Sequence, residues 1–151
     1  MDLKKLSLGE RILAAAGIAL LIDLLFLPWH HIEIGIRGIA TATSNRTGIE
    51  SPNAFLGFLA LLVTAAIVAH VVMSVYTKVT LPELPVSWGQ ADLIASVAVV
   101  ALLALKLVLE TDFLGFGAWL GVILAGVLVY GGVQRYREAQ AATGPHGAAT
   151  V

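Results

Sequence analysis

Residues 53–77 read NAFLGFLALLVTAAIVAHVVMSVYT, twenty-five positions without one Asp, Glu, Lys or Arg. A helix rises 1.5 Å per residue, so about 20 such residues cross ~30 Å of hydrocarbon. This run is long enough to span a bilayer. Three further apolar runs of similar length, at about 10–29, 90–110 and 113–133, repeat the pattern. The expected fold is therefore all-α and membrane-embedded, an antiparallel four-helix transmembrane bundle.

The helix starts carry their own signals. Ser7-Leu8-Gly9-Glu10 and Ser87-Trp88-Gly89-Gln90 both have the Ser-x-x-Glu/Gln form of a capping box. Ser51-Pro52 offers an N-cap followed by Pro at the first helical position. Pro28 closes the first run, with Trp29 where interfacial aromatics collect. The apolar run after Met1-Asp2-Leu3-Lys4-Lys5 superficially resembles a secretory signal. The nearest Ala-x-Ala, at Ala40 and Ala42, lies too far beyond it, so the run reads as a retained span.

Composition bounds the rest. Charged residues make up 13% of the 151 positions, against about 25% in an average soluble domain. One membrane domain, 1–138, is expected, with 139–151 an Ala/Gly/Thr-rich disordered cytoplasmic tail. There are no cysteines, which excludes disulfides, thiolate metal sites and cysteine nucleophiles. The net charge is −1 and no basic block stands outside the membrane flanks, so nucleic acid is not an expected partner.

Orientation follows from Lys and Arg. With the N-terminus inside, Lys4, Lys5, Arg11, Lys78, Arg135 and Arg137 are cytoplasmic, and Arg37 and Arg46 lie outside. That asymmetry puts both termini in the cytoplasm of a multi-pass protein of the plasma (inner) membrane. Tyr76, Trp88, Tyr130 and Tyr136 then fall near the inner interface, and Trp29 and Trp119 towards the outer one.

The loop 30–52 is the one sizeable outer segment. Ile32, Ile34 and Ile36 alternate with His31, Glu33, Gly35 and Arg37, the period of a strand. Gly38 can turn the chain and Ile39–Thr43 can return, giving a small extracellular β-hairpin, with Ser44–Gly48 a polar turn. A lone hairpin is marginal in water, so its isoleucine face is expected on the outer mouth of the bundle. The short turn at Thr111-Asp112 makes spans three and four an antiparallel pair.

Asp23 and Lys106 are the ionisable residues at matching depth inside the spans, about 9 Å below the outer surface. An unpaired charge in hydrocarbon costs about 2.5–3.5 kcal/mol on insertion scales, so such residues find partners. Two readings follow: a structural clasp between spans one and three, or a proton- or ion-handling pair. Glu110, one turn beyond Lys106, competes for the lysine. A conducting path would need polar stepping stones, and His70, Thr64, Ser74 and Ser96 are the candidates.

His70 reads as a histidine hydrogen-bonded across helices, or alternatively as a proton or ligand site. His31 and Glu33 share one strand face and form a possible weak metal site, though two ligands fall short of the three or four that zinc takes; His30 faces the other way. Gly117, Gly121 and Ala125 form a small-residue stripe suited to close helix packing, and Gly126, Gly131 and Gly132 offer a partner contact. No Ser/His/Asp set, phosphate loop or catalytic carboxylate pair stands out, and no cofactor is expected.

The segments Leu6–Leu13, Leu21-Ile22-Asp23-Leu24, Leu27-Pro28-Trp29, Asn53-Ala54-Phe55, and Lys106 with Phe116–Gly121 resemble small four-span membrane proteins of high-GC bacteria. The resemblance implies a fold and no activity. In outline the chain is similar to claudin-type four-span proteins. It lacks their Gly-Leu-Trp and paired-Cys loop, so a tight-junction role is not implied. The expected function is that of a non-enzymatic membrane protein, a structural or accessory subunit assembling with itself or with a larger membrane complex in the lipid bilayer. The alternative is a small proton- or ion-conducting protein.

Overall fold

The structure, a computed structural model, describes residues 5–36, 38, 40–50, 53–77, 80–112 and 114–142. Lys4, Arg37, Lys78, the Ser51-Pro52 start signal and the tail from 143 onward lie outside the described residues. The described elements are α1 Leu8–Phe26, β1 His30–Ile36, β2 Ala40–Arg46, α2 Ala54–Tyr76, α3 Trp88–Leu109 and α4 Phe116–Ala142.

Local chemistry explains the starts. Ser7 caps α1 through a complete capping box: Glu10 N–H donates to Ser7 Oγ, and Ser7 N–H donates to Glu10 Oε2 at 2.8 Å. Ser87 caps α3 in the forward direction, accepting from Gln90 N–H at 3.2 Å. Helix α2 begins after Asn53, which sits at φ 53° in the left-handed region that Asn tolerates.

Helix α1 packs on α2 and α4, and α3 packs on the same two, so the helices close into an up-down ring with α1 and α3 on a diagonal. The core is aliphatic. Leu13, Leu20, Leu24, Ile67, Val71, Val99, Leu103 and Leu128 are all 2% exposed or less. The outward surface is apolar too, with Phe26, Phe55, Phe58, Ile94, Val108 and Ile123 exposed. A water-soluble bundle would place polar residues there.

Helices α2, α3 and α4 are each long and apolar enough to cross a membrane. Helix α1 does not meet the same test, because its 19 residues include Glu10, Arg11 and Asp23. Length and composition thus support three of the four expected spans. Helix α4 also continues to Ala142, well past the expected end near 133 and into the expected tail. Its last turns hold Arg135 and Glu138 against the start of α1, where Glu138 Oε1 accepts from Gly9 N–H at 3.0 Å.

The hairpin forms, and it is longer than expected. Its antiparallel register runs from His30↔Arg46 to Ile36↔Ala40, with Gly38 at φ 80° in the turn. Ser44-Asn45-Arg46, expected as a polar turn, is paired strand, because the register carries every residue of β1 back to a partner. The side chains of Ile34 and Ile36, which would test the isoleucine face, are not among the described ones. The hairpin base is tied to the bundle by backbone. Trp29 N–H donates to Arg46 O, Gly115 N–H to Trp29 O, Gly117 N–H to Pro28 O, and His30 bridges Leu114. That pairing delays the start of α4 from the expected 113 to Phe116.

Candidate functional site

Polar side chains are buried at the two ends of the ring. At the hairpin end Asp23 is fully buried, and its Oδ2 accepts from the Trp29 indole N–H at 2.9 Å. Trp29, expected at the lipid interface, is itself 0% exposed. The chain turns inward at Pro28, and the indole fills the space above Asp23 with its one donor satisfied.

Small residues on α4 make this possible. A Cβ at Gly121 would collide with the Trp29 ring and stand 2.7 Å from Asp23 Oδ2, and one at Gly117 would stand 2.9 Å from Pro28 O. Ala125, one turn on, is 1% exposed. The Gly117/Gly121 end of the stripe therefore serves internal packing, against the segment leaving α1 rather than against α3. Gly131 approaches Ile12 and Leu13, Gly132 approaches Leu93 and Ser96, and Gly126 meets nothing within 4 Å.

Lys106 is also fully buried at this end, but Asp23 and Lys106 reach different partners. The ammonium donates to the backbone carbonyls of Glu50 and Asn53, each at 3.4 Å, and Glu110 acts on it electrostatically. Glu110 itself accepts from Asn53 Nδ2 at 3.3 Å. Close contacts between basic and acidic side chains among the described residues join His31–Glu33, His70–Asp92, Arg135–Glu10 and Arg135–Asp92, and those of the histidines are ion pairs only when the ring is protonated. The expected Asp23–Lys106 clasp is not one of them. The reason is geometric: the two residues share a depth but do not stand on adjacent helices, since α1 and α3 lie diagonally across the ring.

His30 and His31 point to opposite sides of β1, as strand geometry requires. His30 is 2% exposed. Burial pushes its pKa below the usual imidazole value and the Lys106 charge adds to that, while a hydrogen bond to the Asp112 backbone and the Glu110 charge pull the other way. His31 is exposed, with Nδ1 2.6 Å from Asn45 Oδ1 and Nε2 3.3 Å from Glu33. Among the described residues no group of three or more His, Asp or Glu side chains could share a metal ion.

The other end holds a network of which sequence reasoning found only the cross-helix hydrogen bond of His70 and missed the rest. Arg135 Nη1 lies 2.6 Å from Glu10 Oε1, and its Nε lies 3.6 Å from Asp92 Oδ2. Asp92 Oδ1 is 2.8 Å from His70 Nδ1. The His70 ring stacks on Trp88, with centroids 4.3 Å apart. Glu10, Asp92, Arg135 and His70 come from α1, α3, α4 and α2, so the chain of contacts links all four helices. In sequence Glu10 is a capping residue, Asp92 a polar residue in a first turn and Arg135 an inside-positive flank. The signal available was that all three stand within a turn or two of the end where His70 also sits.

Asp92 and Lys106 are 14 residues apart on α3, and Glu10 and Asp23 are 13 apart on α1. The two polar ends are therefore about 20 Å apart along the axis. Leu13, Leu20, Ile67, Val99, Leu103 and Leu128 fill the interval. Its two buried hydroxyls are engaged locally, Thr64 donating to Ala60 O and Ser96 to Asp92 O, each at 2.7 Å.

Chemically, this arrangement can hold helices in order, and at the His70 end it can offer a hydrogen-bonding group beside lipid. Set against known proteins, the chain matches no family model, no curated protein and no solved structure.

Proposed function

We propose that this protein is a non-enzymatic membrane subunit, crossing the bacterial plasma membrane four times with both termini in the cytoplasm, and working by assembling with itself or with a larger membrane complex. One observation carries the reading: polar side chains turn inward at both ends while the outward surface stays apolar. Of the charges that keep α1 from reading as a span, Glu10 and Asp23 are internal, and Arg11, at the helix start, is exposed and donates to Leu6 O. Glu10 pairs with Arg135 and Asp23 accepts from Trp29, whereas Ile18, Ile22, Leu25 and Phe26 face outward. A helix with its charges satisfied inside a bundle can enter lipid at little cost. The inward chemistry holds the bundle together and leaves surfaces, not a reaction pocket, for function.

Gentle extraction followed by native mass spectrometry tests this. Stoichiometric partners or a defined oligomer are expected, and a clean monomer at native abundance would overturn it. A second reading, proton or ion conduction, draws on one observation: Asp23 Oδ1 is buried without a hydrogen-bond partner among the described residues. It requires flux in proteoliposomes that Asp23→Asn abolishes, and the apolar interval of about 20 Å weighs against it.

A further inference from the structure

Between α2 and α3 a groove of about 200 Å³ opens on the outer surface of the ring. Val63, Ala66 and Ala95 line its apolar side, and His70, Trp88 and Asp92 close its polar end. Ala66 is exposed, so the groove faces whatever surrounds the bundle. Both helices are apolar enough to cross a membrane, and the surroundings are then lipid.

His70 gives the groove its chemistry. Its side chain is 8% exposed. A carboxylate only accepts hydrogen bonds, so the nitrogen 2.8 Å from Asp92 Oδ1, Nδ1, carries a proton. In the neutral imidazole Nε2 is then a bare acceptor. It is buried and has no hydrogen-bond partner among the described residues. Arg135 holds Asp92 from behind, and Glu10 holds Arg135. The ring is thus fixed in one tautomer and one orientation, as a carboxylate fixes a metal-binding histidine whose other nitrogen meets the metal. Leaving such an acceptor buried and unmet costs stability.

We infer that this groove binds a membrane-dissolved hydroquinone, whose ring lies in the groove beside Trp88 and whose hydroxyl donates to His70 Nε2. Each part of that occupant answers a feature of the site. The bare acceptor calls for a donor. The aromatic wall and the alanines suit a flat ring, and the lipid-facing mouth suits an apolar tail. The volume admits one six-membered ring with small substituents and is too small for a tetrapyrrole. No electron or proton transfer is part of the inference. It needs α2 and α3 to face lipid and is independent of whether the protein assembles with partners, so it fails or stands separately from the assembly reading.

The test uses the full chain, with ¹⁵N-labelled histidine, in proteoliposomes at pH 8. A decyl-substituted benzohydroquinone should move the His70 Nε2 resonance upfield in a saturable titration. The dimethyl ether of the same compound keeps shape and tail but lacks the donor, and should leave the resonance in place. Ala66→Phe fills the groove from its exposed rim, and should raise the half-saturating mole fraction at least tenfold while thermal stability is unchanged. A flat titration with the hydroquinone overturns the inference, as does an equal shift with the ether. Undiminished binding by a folded Ala66→Phe protein would place the ligand elsewhere and overturns it too. Because the ether comparison needs no mutation, the inference stays exposed to refutation even if the variant does not fold.

Discussion

Replacing Arg135 by Met should cost the bundle about 3 kcal/mol, the low end of the range for removing one partner of a buried ion pair. The guanidinium lies 2.6 Å from Glu10 and 3.6 Å from Asp92, carboxylates only 6% and 3% exposed. Removing it strands both. The low end applies for two reasons. The Arg135 side chain is itself 21% exposed, so solvent already screens the pair. Each carboxylate also keeps a second partner, Ser7 N–H for Glu10 and His70 Nδ1 for Asp92. Met retains the aliphatic stem and helix propensity, so packing changes little. A loss of that size multiplies the unfolding equilibrium constant by about 150. Reversible unfolding in bicelles by steric trapping measures it. Glu10→Gln removes one stranded charge, so the double variant should lose less than the sum of the singles, by about 1–2 kcal/mol. Strict additivity, or a single-variant loss below about 1 kcal/mol, would mean the network is surface decoration and would refute the reasoning.

Two other outcomes follow from the hairpin end. His30 has its pKa depressed below 6.5, chiefly by burial. Below pH 6.5 the unfolded chain takes up a proton that the folded one resists, so the contribution of His30 is intact above pH 6.5 and declines as pH falls towards the folded value. The unfolding free energy of wild type should therefore fall between pH 7 and 5 more steeply than that of His30→Gln; parallel curves would disprove it. Gly121→Ala should cost about 1–3 kcal/mol, because the new Cβ meets the Trp29 ring and Asp23 Oδ2, whereas Gly126→Ala, with nothing within 4 Å, should be neutral or stabilising. Far-UV melting curves of the two variants, compared side by side, decide this.

What could be read from the chain depended on whether the physics was local. Helix α2 announced itself through an uninterrupted apolar run, and Ser7 and Ser87 announced starts through residues three positions away. The strand of β1 was legible in the alternation around Ile32 and Glu33. Partners of buried charges were not legible, because they depend on which helices touch. Asp23 and Lys106 were matched by depth, a coordinate that sequence supplies, but depth says nothing about position around the ring. Trp29 showed the same gap. Its place after Pro28 suggests the interface, and only the small face of α4 at Gly117 and Gly121 lets the chain fold it inward. Glu10 was legible for its capping role and not for its pairing with Arg135. One carboxylate oxygen serves the helix it begins and the other serves a helix 125 residues later.

The placement of charge at the ends, rather than mid-membrane, also bears on how the ring selects its order. Apolar side chains pack about as well against lipid as against each other, so burial of leucines discriminates weakly among arrangements of four apolar helices. Directional contacts discriminate strongly. Arg135 on α4 can lie beside both Glu10 on α1 and Asp92 on α3 only if α4 stands between those two helices. Asp92 can then reach His70 only if α2 is the other neighbour of α3. At the hairpin end the Trp29 ring fits against α4 only where Gly121 leaves room, which again sets α1 beside α4. These constraints leave α1–α2–α3–α4 as the ring order. Any exchange of neighbours strands at least one carboxylate in an apolar setting, at a cost of several kcal/mol. The same economy explains why the mid-bundle hydroxyls of Thr64 and Ser96 turn back onto their own helices. With order already set at both ends, the middle is free to be aliphatic.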